Sequence, residues 1–127
     1  MQETHLFEYA VIRIVPRVDR EEFLNIGVVL YCPSFKYLGI RCSHPGNRLL
    51  ALSPSQDLEE LERHLHSFST IARGEESAGP IGRLDTASRF RWLTATRSTI
   101  LQTSQVHPGL CTDPVATLEE LYKKLVL

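Results

Sequence analysis

Neither sign of charge is in excess. The chain carries 14 Lys and Arg against 15 Asp and Glu, a formal net charge of −1. An overall electrostatic case for nucleic acid or an anionic membrane is therefore missing. Cysteine is scarce: Cys32, Cys42 and Cys111 lie far apart, with no C-x-x-C spacing. That excludes a disulfide framework and predicts reduced thiols in a cytoplasm. No apolar run approaches the roughly 18 residues a membrane span needs. The opening MQETHLFEYAVIRIVPR has no basic start, and its apolar run carries Arg13, so no signal peptide is expected. Internal repeats and low-complexity segments are also absent.

What remains is a 127-residue chain with 43% apolar and 23% charged residues. Those values fit one soluble domain over residues 1–127, with a single core that needs no staples.

The stretch Tyr9–Cys32 organises the chain. A first strand is expected from about Leu6 to Val15. It is apolar on both faces, as in a strand covered on both sides or lying mid-sheet. Pro16 ends it, because proline cannot donate to a ladder. Arg17–Glu22 holds five charged residues and reads as a solvated connection. A second strand runs from about Phe23 to Cys32, rich in β-branched residues, and Pro33 ends it. Tyr37–Cys42 returns as a third strand, giving an antiparallel meander.

Closing the first hairpin over Pro16–Glu22 sets Val15 against Phe23, Arg13 against Asn25 and Val11 against Gly27. Equal parity then puts Arg13, Asn25 and Gly27 on one face with Tyr9, Val29 and Tyr31. Gly27 would leave room beside Arg13. A one-residue slip would scatter the cluster. Two readings follow. In one, Arg13 pairs with Glu22 and Asn25 ties down a strand end, since buried charges need partners. In the other, Arg13, Glu22, Asn25 and Gly27 line a pocket.

The third strand's counting puts Cys42 near Gly27 and Arg41 near Val28. Arg41 would then point away from the Arg13 face unless the turn holds a bulge. Cys42-Ser43-His44 is a lone Cys-x-His without the paired spacing of a zinc site, so neither metal nor cofactor is expected.

A helix is predicted from Ser53, with Pro54 in its first turn and Gln56 completing a capping box. Leu58, Leu61, Leu65, Phe68 and Ala72 form its apolar stripe, and Gly74 ends it. Arg73–Leu84 reads as a flexible loop, either a lid or a plain linker. Its Gly79-Pro80-Ile81-Gly82 does not match a phosphate-binding loop. Asp85 caps a short helix over Thr86–Thr94, with Phe90 and Leu93 inward. Arg83, Arg89, Arg91 and Arg97 surround Trp92 in this segment. Basic residues around an aromatic can grip a nucleic-acid strand; near-neutral charge favours a solvated helix face with Trp92 in the core. Ser98–Ser104 reads as a fourth strand and Val106–Thr112 as a loop. Asp113 and Pro114 open a last helix with Leu118, Leu121, Leu125 and Val126 as its stripe. The expected architecture is α+β, two layers, with a mainly antiparallel sheet of about four strands and three helices.

Tyr9–Pro16 together with Arg20–Leu30 resembles the signature of a bacterial family, domain-of-unknown-function family 3037. Arg91–Ala95, Ile100–Gln102 and Leu121–Val126 resemble its later blocks. The resemblance implies a small bacterial cytosolic protein, often encoded beside a HipA-type kinase-like protein, and carries no catalytic residue with it.

Three functions are then open. The first is a non-enzymatic accessory protein that binds a partner, such as that kinase-like protein. The second is a small enzyme or binding protein for a phosphorylated or carboxylated ligand. There Arg13 would hold the anion and Glu22 would serve as general acid or base. The third is nucleic-acid binding through Arg89, Arg91 and Trp92.

Overall fold

The computed structural model describes residues 3–15, 22–43, 58–95 and 100–127. The cap at Ser53–Gln56, the polar connection before Glu22, His44, and Arg97–Thr99 lie outside them. Along the described chain run β1 (His5–Ile14), β2 (Leu24–Cys32), β3 (Tyr37–Cys42), α1 (Leu58–Arg73), α2 (Thr86–Leu93), β4 (Leu101–Thr103), β5 (His107–Cys111) and α3 (Pro114–Leu125). The fold is α+β with an antiparallel sheet, as expected.

β1 lies inside the sheet. One of its edges pairs with β2, which in turn pairs with β3. Its other edge takes β5 over His5–Tyr9 and β4 over Ile12–Ile14. The segment expected as a loop after Val106 thus contains a strand. Its Pro108 is tolerated because β5 is at the sheet's edge. Between β4 and β5, Ala10 and Val11 stand against three residues, Ser104–Val106. Ser104 bridges the irregularity: its Oγ accepts from Val11 N at 2.8 Å, and its N–H donates to Val11 O at 2.8 Å.

The two faces of the sheet carry two apolar clusters. Ala10, Ile12, Ile14, Val29 and Tyr31 pack with Leu61, Phe68 and Ala72 of α1 and with Phe90 and Leu93 of α2. Alternate residues Phe7, Val28, Leu30 and Cys32 pack with Leu118 and Tyr122 of α3 and with Val126. Helices therefore cover both faces, and α3 adds a layer beyond the two expected. The near-continuous apolar runs of β1 and β2 are what a strand buried on both sides requires.

Local chemistry sets the helix ends. Asp85 Oδ1 accepts from Ser88 N at 2.7 Å to open α2. Asp113 Oδ1 accepts from Val115 N at 3.0 Å to open α3, with Pro114 in the first turn. Each such cap is worth about 1 kcal/mol. Gly74, at φ 69°, ends α1. The segment expected as a flexible loop forms 3-10 turns over Glu76–Arg83, broken at Gly79. Another 3-10 turn, Pro33–Phe35, joins β2 to β3.

Candidate functional site

The expected pairing of Arg13 with Asn25 is present. One step further along, Ile12 pairs with Gly27, so Ile26 is an extra residue on β2. This is a β-bulge, and it reverses the parity of everything beyond it. Arg13 and Asn25 remain on one face, the one covered by α3. Gly27, Val29 and Tyr31 fall on the other, against Ile12 and Ala10. The expectation that Gly27 leaves room beside Arg13 is thus corrected. A Cβ on Gly27 would instead lie 2.6 Å from Cys42 Sγ and 2.7 Å from the Arg41 carbonyl oxygen. Gly27 lets β3 approach β2.

The bulge also decides Arg41. It pairs with Val28 as counted, yet lies on the same face as Arg13. Its Nε donates to Glu119 Oε2 at 3.1 Å, and its guanidinium lies 4.4 Å from the Tyr122 ring centroid. Arg41 is thereby tied to α3.

Arg13 is held differently. Its guanidinium lies 4.1 Å from the centroid of Phe23, which is 50% exposed. Phe23 and Asn25 share parity, so the ring comes up on the Arg13 face. The Arg13 Nε is buried and has no hydrogen-bond partner. Burial lowers the guanidinium's pKa from its ordinary value, and among the described residues no carboxylate acts to restore it. Among the described residues no ion pair joins Arg13 to Glu22, so the expected Arg13–Glu22 pairing is not made. Glu22 is half-buried just ahead of β2.

Asn25 ties down a helix end: its Nδ2 donates to the Leu125 carbonyl at 3.3 Å. This is one of the carbonyls that α3 cannot satisfy within itself. On the other side of Arg13, Gln102 of β4 is its cross-strand partner. Asn25, Arg13 and Gln102 therefore stand abreast across β2, β1 and β4. Gln102 also lines a cavity of about 150 Å³ with Thr94, Ala95 and Ser104–Val106.

With this geometry, the chain can be placed. It belongs to the family described as Protein of unknown function (DUF3037), which matches residues 9–126. No curated protein and no solved structure matches it. The family match spans every strand from Tyr9 onward, including Arg13, Phe23, Asn25 and Gln102.

The second candidate group comes apart. Arg89 donates to the carbonyls of Leu84 (3.0 Å), Ile71 (3.1 Å) and Ala72 (2.9 Å), and so holds the end of α1. Arg91 makes two hydrogen bonds to Glu8, at 3.0 and 2.9 Å. Those bonds raise the Arg91 pKa further above its ordinary value. Trp92, expected in the core, is 45% exposed, whereas Phe90 and Leu93 do point inward.

The thiols are free. Burial pushes the Cys42 thiol up to about 12, despite the opposing charges of Arg41 and Arg73. Among the described residues, no group of three His, Cys, Asp or Glu could hold a metal ion. No helix of the described residues is long and apolar enough to cross a membrane.

Proposed function

We propose that the chain is a non-enzymatic accessory protein that binds a partner protein, and that the partner docks at Arg13 and the exposed ring of Phe23. One observation carries this reading: a half-buried guanidinium lies on a half-exposed phenylalanine, and among the described residues no carboxylate pairs with it. A partly desolvated, uncompensated charge costs stability unless something else offsets it. Arginine, with tryptophan and tyrosine, is also among the side chains most enriched at the energetic centres of protein interfaces. The partner suggested by the family resemblance is a HipA-type kinase-like protein.

The alternative of nucleic-acid binding has less support, because Arg89 and Arg91 direct their donors to groups of the same chain. The test is capture of the untagged partner by tagged protein from the native cell, followed by reconstitution with the purified partner. A stoichiometric complex that survives gel filtration is the expected result. A chain that stays alone at native concentration would overturn the reading.

A further inference from the structure

Resting on that reading, we infer that the group Arg13 receives is a carboxylate from an acidic side chain in an apolar segment of the partner. Three features of the face point to this chemistry. Charge comes first. Of the two arginines on this face of the described sheet, Arg41 is matched by Glu119, whereas no carboxylate of the described residues pairs with Arg13, whose Nε is buried and unbonded. One carboxylate balances one guanidinium, whereas a phosphate dianion would leave negative charge over a mostly apolar face.

Shape comes second. Arg13 lies on the outward-facing ring of Phe23, which is 50% exposed. A small free metabolite would remain largely in water there. A segment that brings its own apolar neighbours would cover Phe23 and desolvate the pair, which strengthens a charge-assisted contact. Placement comes third. Asn25 and Gln102 flank Arg13 in a row across three strands, and the half-exposed ring of Phe23 sets apolar surface beside that polar line. That alternation suits an extended or helical segment carrying an acid between apolar residues.

The probes are acetyl-Leu-Glu-Leu-amide, its Gln counterpart acetyl-Leu-Gln-Leu-amide, and inorganic phosphate. Each is titrated into ¹⁵N-labelled full-length protein while the Arg13 Nε–Hε cross-peak is followed. The Glu peptide should shift that peak saturably. The Gln peptide and phosphate should bind at least 10-fold more weakly. By isothermal titration calorimetry, Arg13→Gln should abolish binding of the Glu peptide, and Arg13→Lys should retain part of it with an unchanged denaturant midpoint. Equal binding of the Gln peptide, or tighter binding of phosphate, would overturn the carboxylate assignment. The captured partner separates the two readings. If it binds the folded Arg13→Gln protein undiminished, partner binding stands and this inference falls. If no partner binds even the wild-type protein, the proposed function itself falls.

Discussion

Arg91 and Glu8 meet through two parallel hydrogen bonds that clamp the end of α2 to β1, 83 residues away in sequence. The pair is a planar fork on a planar carboxylate, the strongest geometry available to such a contact. It is also largely exposed on the arginine side, at 58%. Arg91→Gln should therefore cost only about 0.5–1 kcal/mol. A double-mutant cycle with Glu8→Gln, read by denaturant midpoint, should attribute nearly all of that loss to the pair. Weaker affinity for single-stranded nucleic acid in Arg91→Gln, with stability unchanged, would point to a role for this arginine outside the fold.

Gly27 is predicted to be a packing glycine. Adding a Cβ forces it against a neighbouring strand's backbone oxygen, which cannot swing aside as a flexible side-chain tip would. Gly27→Ala should cost about 1–3 kcal/mol, and Gly27→Val more. Thermal and chemical denaturation both report it. A Gly27→Val protein of wild-type stability would show that β2 and β3 are spaced more widely.

Arg89 is predicted to act as the cap of α1. Arg89→Met keeps the aliphatic stem but removes donors from three carbonyls, at a cost of about 1.5–3 kcal/mol. Hydrogen exchange should speed up most in the last turn of α1. Uniformly faster exchange across the protein would instead mean that Arg89 supports the whole core.

The Cys42 thiol supplies a pH dependence. Its folded pKa, about 12, is raised, so the fold favours the protonated form. The stability tied to that proton is complete below the unfolded value of about 8.5 and is lost as pH rises toward the folded value. Cys42→Ser should flatten the decline of stability across that alkaline window. In the native protein at pH 8, iodoacetamide should modify Cys42 far more slowly than in denaturant. Rapid native labelling at this residue would contradict the protonated thiol.

Counting outward from Pro16 and Glu22 was enough to pair Arg13 with Asn25, because no irregularity intervenes there. It failed at Gly27, since Ile26 looks like any other buried strand residue and nothing in its spacing marks it as extra. The same bulge explains why Arg41 emerged on the face it was expected to avoid. Caps were legible at Asp85 and Asp113 because the interaction spans only two or three residues. β5 was hidden by Pro108-Gly109, a turn signal that an edge strand overrides. Gln102 was not singled out, for its neighbour Arg13 is 89 positions away, and only long-range pairing reveals it. The face taken by α3 was equally hidden: an apolar stripe says that a helix packs, not on which side.

The central position of β1 has a consequence for how the chain is made. Its second edge is completed by residues 101–111, so synthesis delivers β1 long before those partners. Until then the β1–β3 meander offers the ribosome's surroundings an open row of backbone donors and acceptors. Closing it requires contacts across 87 to 106 positions, the kind of pairing that slows folding most. A nascent chain stalled before Leu101 should therefore be held by a chaperone that recognises extended apolar strands, and should let go once β4 and β5 have emerged.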